Sequence, residues 1–149
     1  MSYTISEAAR RMGVAPSTLR YYDKEGLLPN LKRKNGQRIF DENDLRMLAL
    51  LSCLKNTGMP LKQIHRYVDM VQKGDETIPE RYALIKEQRR FIMDQMEQLK
   101  YYLSELDFKD WYYRTAMKKG TTEGISLEDY ERETGKRTPE MDILEKDGK

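Results

Sequence analysis

Ser17, Arg20, Tyr21 and Lys24 recur at i, i+3, i+4 and i+7, the spacing that brings side chains onto one face of a helix. Two hydroxyls, a guanidinium and an ammonium on one stripe are the donors that hold phosphate oxygens and base edges. Thr18 adds a hydroxyl at the same helix start, while Leu19 and Tyr22 turn to the opposite side with Val14 beneath them. Tyr22 is therefore expected to pack and Tyr21 to reach outward. A second basic group follows, in which Lys32, Arg33 and Lys34 precede Asn35-Gly36 and Arg38 comes after it. Asn-Gly between short runs is a strong two-residue signal for a tight hairpin. A basic hairpin directly after a helix is a wing, with Lys32, Lys34 and Arg38 against the DNA backbone while the helix enters the major groove. Lys62, beside Gln63 at a further helix start, offers a second backbone clamp; the alternative is a solvated helix end.

Stepping outward, the elements that must position these groups are legible. Thr4-Ile5-Ser6-Glu7 has the form of a capping box, and Ile5, Ala8, Ala9 and Met12 continue it at helical spacing until Gly13. Pro16 suits the first position of a second helix, although Ala15 is a weak cap, and Gly26 with Pro29 ends it. Helix, short turn, helix is helix-turn-helix spacing. Asp41, with Asp44 three residues on, starts a mostly apolar helix carrying Leu45, Leu48, Ala49, Leu51 and Leu54 up to Gly58; Pro60 starts another with Leu61, Ile64, Val68 and Val71 on one stripe.

Charge divides the chain in the same way. Residues 1–74 carry 13 Lys and Arg against 7 Asp and Glu, whereas residues 75–149 carry 14 against 18. The basic half suits a polyanion and the acidic half a different task. The absence of an 18-residue apolar run and of a signal-like start leads us to expect a cytoplasmic protein with no membrane partner. One cysteine, Cys53, can form neither an internal disulfide nor a multi-thiolate site, so no metal and no cofactor is expected.

The stretches "YTISEAARRMGVAPSTLRYYDKEGLLP", "KRKNGQRIF" and "FDENDLRMLALLSCLKNTGMPLKQI", in this order, resemble the MerR family of bacterial transcription regulators. The resemblance covers about the first 72 residues by motif and the following helix by type. Gln37 stands where the family usually carries a tyrosine, and Met59-Pro60 where it often carries a serine. The resemblance implies a mainly α protein, with a winged helix-turn-helix domain at 1–74 and a linker and coiled-coil dimerisation helix at 75–119; the residues themselves, with 9 Asp and Glu against 5 Lys and Arg and the stretch "SLEDYERETG", predict an acidic tail at 120–149 with at most one short helix.

"DETIPE" reads as a short linker into that long helix. Ile85, Ile92, Leu99 and Leu106 form one core position, and Arg89, Met96, Leu103 and Asp110 the other, so six of eight sites are apolar. A helix from residue 80 to 118 would be roughly 58 Å long, too long to bury its seam on so small a domain. A second copy is the expected partner, meeting at Ile85, Ile92, Met96, Leu99, Leu103 and Leu106. The resemblance implies that the two helices run antiparallel. Tyr101, Tyr102, Phe108, Trp111, Tyr112 and Tyr113 crowd the end of this helix. They either pack the coil's end against the partner's DNA-binding half, which is the expectation, or line a pocket for a small aromatic or hydrophobic ligand.

Cys53 has two readings: a small buried hydrophobe among leucines, or a thiol sensor activated by Lys55 or His65 whose modification would part those leucines. The segment "LLSCLKNTGMPLKQI" resembles the family branch that responds to aldehydes or nitrosative stress through one cysteine in this helix. One Cys and one His on separate helices are thin support for an enzyme. A coiled-coil adaptor would explain the heptads but not the helix-turn-helix. The expected function is a homodimeric transcription regulator on double-stranded promoter DNA, distorting an overlong spacer and so reaching RNA polymerase indirectly through DNA shape.

Overall fold

The computed structural model describes residues 1–147, with side chains described as far as Ile143. The order of elements is α1 (Ile5–Met12), α2 (Pro16–Lys24), β1 (Lys32–Lys34), β2 (Gln37–Ile39), α3 (Glu42–Asn56), α4 (Leu61–Lys73), a short 3-10 turn (Asp75–Thr77), α5 (Ile78–Lys119), α6 (Leu127–Thr134) and α7 (Pro139–Asp147). The chain packs as two units, Met1–Arg89 and Arg90–Lys149.

In the first unit both capping boxes are closed. The Thr4 hydroxyl accepts from the Glu7 N–H and the Glu7 carboxylate from the Thr4 N–H, and Asp41 and Asp44 exchange the same two bonds at the start of α3. Because the Asp41 carboxylate accepts the Asp44 amide, its pKa lies below the usual value, while burial raises that of Asp44. Ala15 makes no side-chain cap for α2, which relies on Pro16. The wing is antiparallel, pairing Lys32 with Ile39 and Lys34 with Gln37. Asn35 at φ 52° and Gly36 at φ 77° make the left-handed turn, a conformation that Asn and Gly adopt more readily than other residues. Tyr3 and Phe40 exchange backbone hydrogen bonds of 2.7 and 2.9 Å, tying the chain start to the base of the wing. Phe40, Leu19, Leu27, Leu48, Leu51, Leu54 and Val68 fill the core beneath.

The expected linker is an ordered turn, Asp75–Thr77, leading directly into α5. Gly74 takes φ 96° and ψ −161°, a region open essentially to glycine alone. The buried Thr77 hydroxyl lies 2.6 Å from the Met70 carbonyl and 2.7 Å from that of Gly74, and accepts from Arg81 Nε at 3.0 Å. Arg81 also donates to the Gly74 carbonyl. Further along α5, Gln88 Nε2 donates to the Thr57 carbonyl at 2.7 Å and to its hydroxyl at 3.1 Å.

The second unit corrects two expectations. The tail holds two helices, α6 and α7, rather than one at most, because Ser126 caps α6, Gly135 ends it in the left-handed region and Pro139 opens α7. Phe108 and Trp111 are covered by their own chain rather than left for a partner's DNA-binding half: Tyr130 of α6 lies 5.2 and 5.3 Å from their ring centroids, and Trp111 Nε1 donates to Glu133 at 2.8 Å. Lys109 pairs with Glu140 at 3.0 Å, which raises the lysine pKa. Tyr101, Tyr102 and Tyr113 stay exposed.

Candidate nucleic-acid interface

Helix α2 presents two opposed faces. Leu19 and Tyr22 are buried against the core, leaving Ser17, Arg20, Tyr21 and Lys24 exposed and Thr18 half-buried. The i, i+3, i+4, i+7 stripe is thus a continuous donor surface, anchored by the apolar stripe behind it. Ser17, Thr18 and Tyr21 also line an open recess of about 300 Å³, whose fourth wall is Lys55 from the end of α3. The Lys55 ammonium stands 5.6 Å from the centroids of both Tyr21 and Tyr22, within the range over which a ring face attracts a cation.

This placement reassigns Lys55. The sequence suggested it as an activating charge for Cys53; in the fold it faces the tyrosines and borders the donor stripe of α2. The periodicity of α3 carried part of the signal, because Leu51 and Leu54 point inward and the residue after Leu54 must turn away. What it turns toward depends on how α3 packs on α2, which one helix cannot reveal. Next to the recess, Tyr21, Tyr22, Leu27, Leu51, Lys55, Met59, Leu61 and Ile64 enclose an apolar notch of about 210 Å³.

Lys32, Arg33 and Lys34 of β1 are exposed, as is Lys62 at the start of α4, where Pro60 supplies no side-chain cap and leaves the first N–H groups open. Arg38 is placed differently. Its Nε donates to Asp23 Oδ2 at 2.7 Å, both side chains being only 21% exposed, and Arg33 reaches the same carboxylate oxygen at 3.4 Å. Arg33 also donates to the Gly36 carbonyl within the turn. Asp23 thus joins both wing strands to α2, a role that no local sequence pattern signals.

Cys53 is exposed on α3. It is not the buried hydrophobe of one reading, and its sulfur does not sit among the leucines that the other reading had it part. His65 lies beside Gly26 at the end of α2, where a Cβ added to that glycine would meet the imidazole at 3.8 Å. The Cys53 carbonyl accepts from the Thr57 N–H and lies 3.0 Å from its hydroxyl, and this is the threonine held by Gln88. Among the described residues no three His, Cys, Asp or Glu side chains come together to hold a metal ion, and no helix is long and apolar enough to cross a membrane.

The comparisons with known proteins agree with this geometry. Residues 3–71 match the family described as MerR HTH family regulatory protein, and residues 45–107 match MerR, DNA binding. An HTH-type transcriptional regulator of Haemophilus influenzae is 44% identical over 128 residues, covering 85% of this chain and 95% of the relative. A crystal structure of HiNmlR, a MerR family regulator lacking the sensor domain, bound to promoter DNA, aligns at a TM-score of 0.77 and 44% identity, covering 85% of this chain and 97% of that one. A MerR family regulator from Listeria monocytogenes aligns at 0.72 and 30% identity, covering 88% and 98%. With its helix-turn-helix, its wing and its long helix in this order, the chain belongs to the MerR family of DNA-binding transcription regulators.

Proposed function

We propose that the protein binds a near-palindromic promoter site as a homodimer and distorts an overlong spacer, so that RNA polymerase engages both promoter elements through the altered DNA shape. The observation that carries the DNA half of this reading is the recess on α2, lined by Ser17, Thr18, Tyr21 and Lys55, with Arg20 and Lys24 exposed on the same helix. It is supported by the related regulator solved on promoter DNA. Dimerisation is supported by the seam of α5, on which Met96, Leu99, Leu103 and Leu106 are all exposed. A stripe of that length in water favours association. Two copies would present two recognition helices to two half-sites, and the stiffness of the DNA between them makes its sequence part of the readout.

Transcription from promoters whose spacer is shortened one base pair at a time tests the distortion. Activation should fade as the spacer approaches the length polymerase uses unaided; activation that is indifferent to spacer length would remove this mechanism. For the signal, we propose that electrophiles such as aldehydes act at Cys53, whose exposure supplies the access that thiol chemistry needs. The Cys53–Thr57–Gln88 hydrogen bonds supply a route from that segment to α5. The check is promoter output with and without formaldehyde: Cys53→Ser should abolish the response, and a serine variant responding like the parent would leave the thiol without a sensing role.

A further inference from the structure

A carboxylate on a recognition helix opposes the polyanion that the helix must approach, so Asp23 needs a reason beyond surface solubility. The wing supplies one. Its strands are three residues each, and a two-stranded hairpin of that size has little stability of its own. One edge is held by the bridge between Tyr3 and Phe40. The other side is held by Asp23, whose Oδ2 accepts Arg38 Nε of β2 at 2.7 Å and lies 3.4 Å from Arg33 Nη2 of β1. Arg33 Nη1 in turn donates to the Gly36 carbonyl at 3.1 Å, so the same guanidinium spans from the helix to the turn. The partly sheltered Asp23–Arg38 pair has the short geometry of a charge-assisted bond.

We propose that Asp23 is a positioning residue for DNA recognition: it locks the wing to the recognition helix at a fixed angle and withholds Arg33 and Arg38 from indiscriminate phosphate contact. The proposal rests on the DNA-facing assignment of α2 and the wing. With the lock closed, the spacing between groove and backbone contacts is set before DNA arrives, and only duplexes that can conform to it bind well. With the lock open, two guanidiniums on a loose hairpin can pair with any phosphate. Asp23 thus exchanges general affinity for discrimination.

The test uses the full chain, a duplex enriched by the parent from a random-sequence pool, and a scrambled duplex of equal length, each titrated across a salt series. Asp23→Asn removes the charge while nearly keeping the shape. It should bind the scrambled duplex more tightly, steepen the plot of log affinity against log salt by about one phosphate's worth, and reduce the enriched-to-scrambled ratio by about tenfold. Asp23→Glu, which keeps the charge, should retain the parent salt slope and lose less of the ratio. In an Arg38→Gln background Asp23→Asn should have little left to change, because its main partner is gone. A merely structural carboxylate would leave the salt slope alone. The proposal is overturned if Asp23→Asn matches the parent in slope and ratio, or if it weakens both duplexes equally at unchanged slope. If Asp23→Asn does not fold, as judged by circular dichroism, Asp23→Ser takes its place, since it too removes the carboxylate: a slope and ratio equal to the parent's overturn the lock. A parent that enriches no sequence would remove the DNA-facing assignment itself; a parent that enriches one while the variants behave like it removes only the role of Asp23.

Discussion

Leu51 and Leu99 are the same residue on apolar stripes of two helices, yet Leu51 is 1% exposed and Leu99 is 65% exposed. In the first unit the apolar positions of α3 and α4 are used up: Leu48, Leu51, Leu54, Ile64 and Val68 close one core with the recognition helix and the base of the wing. In the second unit a choice has been made. Helix α5 carries two apolar stripes there, and α6 covers only the one with Phe108 and Trp111 while the Leu99, Leu103 and Leu106 stripe stays open. Since a covering element was at hand and lies on the other face, the open stripe does not reflect a shortage of material. Its alternating three- and four-residue spacing is that of a seam between helices. The first unit closes its apolar positions into one core and turns charge outward; the second leaves an apolar stripe open, the surface proposed above for a second copy.

The largest expected effect separates the two leucines. Leu51→Ala should destabilise the first unit by about 2 to 5 kcal/mol, whatever the protein concentration, because it leaves a cavity in a closed core. Leu99→Asp should leave the first unit folded but convert dimer to monomer and abolish operator binding, since one half-site offers too few contacts. Thermal melts over a hundredfold concentration range, with sedimentation alongside, distinguish these outcomes. A wild-type monomer at micromolar concentration would break the comparison, because the seam would then have no partner.

A smaller effect sharpens the assignment of the first unit's surface. Arg20→Ala should lose about 1 to 3 kcal/mol of binding and alter sequence preference if its fork reads a base. Lys55→Ala should weaken all duplexes alike and reduce the salt slope by about one. Competition binding on single-base variants of an enriched duplex checks both. If Lys55→Ala changes preference and Arg20→Ala does not, their roles are reversed.

The difference between these two residues also marks what the sequence could disclose. The capping boxes Thr4-Glu7 and Asp41-Asp44, the Asn35-Gly36 turn and the heptads of α5 all lie within a few residues or repeat at a fixed period, so local stereochemistry dictates them. The exposed position of Arg20 was legible for the same reason, as part of a stripe on one helix. The contacts that escaped join distant residues: Lys55 with Tyr21, Asp23 with Arg38, Gln88 with Thr57, and Trp111 with Glu133. Each depends on the crossing of two helices or the lie of a hairpin, which no periodicity encodes. The tail was underestimated for a related reason. Its composition is acidic and its helices are short, so stability comes from docking on α5 rather than from intrinsic propensity.

The smallest effect tests that docking. Trp111 is the only tryptophan in the chain, and its indole N–H donates to the Glu133 carboxylate at 2.8 Å while its ring is 7% exposed beneath Tyr130. Glu133→Ala leaves the donor in place and removes its acceptor, so the tail should loosen by about 1 kcal/mol, the usual net worth of such a bond. Because the ring contacts with Phe108 and Tyr130 remain, α6 should stay associated with α5 and fray more readily. Indole emission reads this locally: the variant should show a red shift and easier quenching by iodide at temperatures where the far-ultraviolet circular dichroism is still that of the parent. Dimerisation should be retained, since the seam lies on the opposite stripe. Loss of the dimer on Glu133→Ala would mean that the tail and the seam are one surface, and the division between a self-covered stripe and a partner-covered stripe would have to be given up.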